Sequence, residues 1–180
     1  MKHLYSIGLI AATFFVSLAS QAQTKFNTQK IGHVINFSVP EYMTRTTGIS
    51  DDAFLQYKSV PKDVYTYLIE DSKVELAIVE LTFPTTRDFY DFVVKDFLKD
   101  EEKLKVGTPI EMTVDGVKYV QCDFSYYDKQ AEGEIFYCLT IAELEGYFYQ
   151  IYSYTAASNT DAIKADMRKM ATTLKDIKCN

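Results

Sequence analysis

The chain has 180 residues, 47% of them hydrophobic, with 19 Lys and Arg against 25 Asp and Glu. A chain of that size fits one domain burying roughly 70% of its unfolded surface, so neither metal nor disulfide is required for folding. The acidic balance, with no basic stripe, argues against nucleic acid and anionic membranes as partners, and the low Gly and Pro content argues against disorder.

Residues 1–22 read as an export signal. Lys2 supplies the positive start, and Leu4 to Leu18 form an apolar run broken only by small or hydroxylated residues. Ala19-Ser20-Gln21-Ala22 then places Ser20 and Ala22 where signal peptidase requires small side chains. The run is short for a membrane span, and polar Gln23-Thr24-Lys25 follows at once. No cysteine follows the cleavage point to carry a lipid. The expectation is an exported protein, periplasmic or secreted, without a stable membrane anchor. Its single domain spans 23–180, with 18 basic and 25 acidic residues and a formal charge of −7.

Ile31 to Pro40 alternates as a half-buried strand does, with His33, Ile35, Phe37 and Val39 on one side, and Pro40 ends it. Glu41 to Asp52 reads as a loop. Three further strands are predicted at about Phe54–Val60, Val64–Glu70 and Val74–Phe83, joined by turns at Pro61-Lys62-Asp63 and Asp71-Ser72-Lys73. The period then changes. Thr85-Thr86-Arg87-Asp88 has the form of a capping box, and Phe89, Phe92, Val93 and Phe97 follow at helical spacing. Lys95, Lys99 and Lys103 suit the C-terminal end of a helix of four to five turns.

Asp115-Gly116 between Ile110–Val114 and Val117–Phe124 is a hairpin signal. A looser turn at 128–133 leads to Glu134–Ala142, and Glu145-Gly146 turns into Tyr147–Thr155, which makes a four-stranded meander. A second helix closes the chain, with a capping box at Ser158–Asp161 and a stripe of Ile163, Met167, Met170, Leu174 and Ile177. Short turns imply antiparallel pairing, and segregated strand and helix blocks imply an α+β domain. Two helices must cover the sheet, on opposite sides or along one face.

This order resembles the PsbP-like fold family, which includes the extrinsic photosystem II subunit, a Ran-binding nuclear import factor and bacterial envelope proteins of the DcrB kind. The matching features are the opening strand Ile31–Pro40, the central helix near Thr86–Lys103, the tyrosine-rich meander and the closing helix near Thr160–Ile177. The resemblance implies an antiparallel meander between two main helices, an α/β/α sandwich. It also implies a binding or assembly role without a shared active site. It carries over no functional residue.

Catalytic chemistry has few candidates. His33 is the only histidine after residue 22, at the start of an apolar strand, where a structural or surface role is expected. There is no Gly-x-Ser-x-Gly elbow, no His-Glu-x-x-His, no Cys-x-x-Cys and no glycine cluster for phosphate or dinucleotide. The acidic pairs Asp51-Asp52, Glu101-Glu102, Glu132/Glu134 and Glu143/Glu145 fall at predicted loops, turns and a helix end, where solvated charge is expected. No catalytic residue, cofactor or metal ligand is assigned.

Three cysteines lie beyond residue 22. If the turn after Phe124 centres near Gln130, Cys122 faces Cys138, close enough for a disulfide in an oxidising compartment. A slip of one residue would put the two on opposite faces as buried thiols. Both outcomes stand open, and Cys179 is expected to be a free thiol. Tyr147, Tyr149, Tyr152 and Tyr154 are expected either as core beneath the helices or as an exposed aromatic binding surface. The resulting expectation is a non-enzymatic accessory or assembly factor with an envelope protein as partner. The alternative is a carrier holding a small apolar ligand between sheet and helix. A third reading is an unrecognised hydrolase, which would require His33 or an acid pair to converge in a pocket with other polar groups.

Overall fold

The computed structural model describes residues 23–31 and 35–176. Residues 1–22, expected to be an export signal, and His33, Ile177 and Cys179 lie outside the described residues. The chain opens with β1 (Phe26–Ile31) and β2 (Ile35–Pro40), an antiparallel hairpin. The sequence reading gave residues 26–30 no strand, because their polar run has no alternation to read. β3 (Thr44–Arg45), β4 (Leu55–Ser59) and β5 (Val64–Ser72) follow.

The loop expected at Glu41–Asp52 holds β3, and other expected elements differ as well. The segment predicted as a strand at Val74–Phe83 begins instead as the short helix α1 (Lys73–Ile78), whose N-cap Ser72 accepts a hydrogen bond from the Glu75 amide. Its apolar residues recur too densely to separate a strand from a helix, and β5 has already taken the available partner strand as far as Ser72. The helix α2 (Thr86–Phe97) has the expected capping box between Thr85 and Asp88, but it runs for 12 residues and not to Lys103. Residues Glu102–Val106 form β6 and pair with β8 (Val117–Asp128) around Phe124–Tyr127. β7 (Ile110–Val114) occupies only the other half of that edge, up to Gln121. The open backbone groups of β8 therefore draw in the segment after the helix.

The meander is as expected. β7 and β8 are joined at Asp115-Gly116, where both residues have positive φ, the conformation an Asp-Gly hairpin turn needs. β9 (Gly133–Leu144) and β10 (Tyr147–Ala156) complete it. A single 3-10 turn at Ala157–Asn159 leads into α3 (Thr160–Ala171). The helix ends short of the expected Ile177 because the chain turns to place β11 (Lys175–Asp176) beside β2, with Leu174 buried between α3 and β11 in sequence. The capping box predicted at Ser158 is not formed. The Asn159 side chain is drawn instead to the Lys62 carbonyl and the Thr155 hydroxyl.

Eight strands form the main sheet, in the order β3-β4-β5-β10-β9-β8-β6 with β7 beside β8, and β1-β2-β11 form a small second sheet. The result is an α+β fold of antiparallel sheet with helices on both faces. One face packs Leu68, Cys138, Ala142 and Ile151 against Ile163, Met167 and Met170 of α3 and against Phe37 of β2. The other packs Val120, Leu139, Ile141 and Phe148 against Phe89, Tyr90 and Val93 of α2. Alternation along each central strand feeds both cores, so β8, β9 and β10 are buried on both faces through their middle portions.

Candidate interaction surface

The disulfide expectation is corrected by the register of β8 and β9. Cys122 stands opposite Leu139, and Cys138 opposite Asp123. The turn between the strands holds an even number of residues, because Asp128 pairs with Gly133 and its carboxylate accepts from the Gln130 and Ala131 amides. That tightening shifts the pairing by one residue. Cys122 then packs beneath α2 and Cys138 on the α3 face, both as buried free thiols. Burial pushes the Cys138 thiol up to about 12 and raises Cys122 as well, which leaves neither poised as a nucleophile.

The aromatic expectation is half corrected. Tyr149 and Tyr152 are core residues, 0% and 3% exposed, while Tyr147 and Tyr154 remain partly exposed. They do not form one surface, since Tyr147 and Tyr149 face the α3 core and Tyr152 and Tyr154 the α2 core. The array that does form includes residues the earlier grouping omitted. Phe124, Tyr137, Tyr154 and Tyr65 stand directly opposite one another on β8, β9, β10 and β5. Their ring centroids are stacked at successive distances of 5.4, 5.1 and 5.0 Å. Tyr67 and Tyr152 stack beside them at 4.7 Å. Phe97 at the end of α2 covers Phe124 and Tyr137. Strand numbering alone could have aligned Tyr65 with Tyr154 only if the β5–β10 register were known.

Among the acidic pairs, Asp51, Asp52, Glu102, Glu132 and Glu145 are exposed, as expected of solvated charge. Glu101, Glu134 and Glu143 are half-buried, and Glu143 joins the most elements. Its carboxylate accepts from Lys73 at 2.8 Å and from the Thr86 hydroxyl at 2.5 Å, with Lys118 at 3.6 Å. It therefore ties β9 to the starts of α1 and α2. Burial alone would raise this carboxyl, but the hydrogen bonds from Lys73 and Thr86 and the charges of Lys73 and Lys118 hold it below the ordinary carboxylate range. A group with a depressed folded-state pKa stabilises above its unfolded pKa and loses that contribution as pH falls through its folded pKa. Glu143→Gln should thus cost about 1–2 kcal/mol at neutral pH. Urea unfolding should show that gap closing on acidification below the ordinary carboxylate range; a gap independent of pH would refute the assignment.

Beside this junction lies an apolar shelf. The α1 side chains Val74 and Ile78 and the following Val79 are 70%, 76% and 62% exposed. Val74 and Ile78 share one side of the helix at i, i+4 spacing. Phe92 of α2 is also exposed and lies 5.1 Å from Phe83, which connects it to the α1 side. On the inner side of α1, where Leu76 and Phe83 lie, opens a cleft of about 180 Å³ lined by Lys73, Leu76, Leu81, Thr82, Phe83 and Phe148. Apart from Thr82 and Lys73 its walls are apolar, and the Lys73 ammonium is turned over the Phe148 ring at 4.6 Å and onto Glu143. The sequence reading missed this shelf because it took the segment for a buried strand. The signal available was the i, i+4 pair Val74 and Ile78 behind a Ser72 N-cap.

Among the described residues no group of three or more His, Cys, Asp or Glu side chains is placed to hold a metal ion. No helix there is long and apolar enough to cross a membrane.

No family model matches the sequence, and no curated protein does. Solved structures do. The cyanobacterial PsbP protein CyanoP of Synechocystis sp. PCC 6803 is similar with a TM-score of 0.59 at 13% identity, over 90% of this chain and 98% of that one. LpqN of Mycobacterium tuberculosis, involved in cell envelope biogenesis, gives 0.60 at 12% identity, over 86% and 91%. PA94 of Pseudomonas aeruginosa, a putative regulator, gives 0.50 at 10% identity, over 82% and 94%. With its antiparallel meander held between α2 and α3, and with these likenesses over most of each chain, the protein has the PsbP-like fold.

Proposed function

We propose that the protein is an exported, non-enzymatic accessory factor of the cell envelope that holds another protein on the α1–α2 shelf. The observation that carries this reading is the group of apolar side chains left in solvent on α1 and α2, Val74, Ile78, Val79 and Phe92, on the same elements that wall a small apolar cleft. Exposed apolar side chains of this kind mark interaction surfaces. The export signal and the likeness in fold to an envelope-biogenesis protein support the location. The apolar-ligand carrier has less support, because the clefts described are open to solvent and the space between sheet and helices is taken by the two cores.

Native mass spectrometry of the protein extracted gently from its own envelope tests the reading. The expected result is a stoichiometric protein partner, lost in Ile78→Asp. That variant should keep the stability of the parent to within about 0.5 kcal/mol, since Ile78 touches no core. A bound small mass without a protein partner would favour the carrier, and a partner retained in Ile78→Asp would remove the shelf from the interface.

A further inference from the structure

The stacked aromatic row outruns the helix that covers it. α2 packs over β8 and β9 and reaches Phe148 and Tyr152 of β10, and its Phe97 meets Phe124 and Tyr137. At the β10 and β5 end, Tyr154 and Tyr65 are only half-buried. There they line an open cleft of about 330 Å³ with Ile135, Gly133, Asp63 and Glu134. This cleft is separate from the α1–α2 shelf.

Three features define its occupant. Its wall is aromatic, and phenol rings accept cations and the flat faces of prolines. Its charge is negative. Asp63 accepts hydrogen bonds from the Ala156 amide and the Thr155 hydroxyl, and nearby Asp128 from two loop amides, yet no cation pairs with either among the described residues. Both carboxylates act on Tyr154, which burial first, and then Tyr65, Tyr126 and these acids, push up to about 12. The neighbouring cations are engaged or peripheral. Lys105 holds Glu134, Lys62 lies over Tyr42, and Lys58 stands opposite Tyr65 on β4, one strand beyond the residues that line the cleft. Lastly, β9, β10 and β5 are interior strands, so the cleft offers no free strand edge for β-addition. A polyproline-type chain needs no such ladder.

We propose that the cleft between Tyr65, Tyr154, Ile135 and Asp63 docks an extended cationic peptide segment in which lysine or arginine alternates with proline. The prolines lie against Tyr154 and Tyr65, and a cationic side chain reaches Asp63 and Asp128. The source is a segment of another protein, which makes this a second contact independent of the shelf.

Amide NMR titration of the 23–180 chain with an octapeptide of alternating lysine and proline tests this. Shifts should concentrate at Tyr65, Ile135 and Tyr154, and the glutamate–proline octapeptide should leave them unmoved. Asp63→Asn keeps the hydrogen-bonding shape of the carboxylate, and Asn tolerates the positive φ found at this position. It should weaken binding at least about fivefold, as should Tyr154→Leu. Ile78→Asp should change nothing here, so loss of the shelf partner and loss of peptide binding are separable results. Equal binding of both peptides, shifts centred on Val74 and Phe92, or no shift at millimolar peptide would each overturn the proposal.

Discussion

Phe148→Ala should lower the stability of the protein by about 4 kcal/mol, a melting temperature roughly 10 °C lower for a chain of this size. Phe148 is 2% exposed, and its ring stacks on Phe89 of α2 at 4.3 Å with an interplanar angle of 11°. It also meets the edge of Phe83 at 6.3 Å and lies under the Lys73 ammonium. Truncation therefore removes the seat of α2, the floor of the shelf cleft and a cation–π contact together. The surrounding rings belong to separate elements tied by Glu143 and cannot simply close on the void. Phe148→Leu keeps most of the volume and should cost about 1–2 kcal/mol. Paired thermal and urea unfolding checks both. A loss below about 1 kcal/mol for the alanine variant would mean that α2 is not seated on β10 as described.

Asp123→Ala should cost about 2–3 kcal/mol by detaching α3 from the sheet. The carboxylate, 12% exposed, receives Arg168 through both Nε, at 3.1 Å, and Nη2, and receives Lys164 at 2.7 Å. Breaking a buried ion pair commonly costs 3–5 kcal/mol because a charge is left unpaired in low dielectric. Here the deserted charges are the cations, 41% and 37% exposed, which rehydrate and reduce the penalty. Arg168→Ala leaves the buried acid with Lys164 and should cost less, about 1–2 kcal/mol. Equilibrium urea unfolding of the two variants orders them; Arg168→Ala costing more than Asp123→Ala would show that the guanidinium stem, and not the ion pair, anchors the helix.

What was legible in the sequence was local. The Asp115-Gly116 turn, the Thr85–Asp88 capping box, the alternation of β8 to β10 and the stripe of Ile163, Met167 and Met170 each depend on residues within one turn or one strand of each other. They suffice for an α+β meander with two main helices. The local signals failed wherever a distant partner decided. Val74–Phe83 has a strand's texture, yet β5 already fills the place beside β10, so the chain coils into α1 and leaves Val74 and Ile78 in solvent. Residues after Phe97 have helical charge spacing, yet the open half of β8 takes Glu102–Val106 as a strand. A single carboxylate, that of Asp128, tightens one turn and sends Cys122 and Cys138 to opposite faces. The sequence by itself determined which segments are apolar and where most of them turn. Only the tertiary structure decided which apolar side chains stay uncovered and which tyrosines meet across strands, because both depend on register and on competition for sheet edges between residues far apart in the chain.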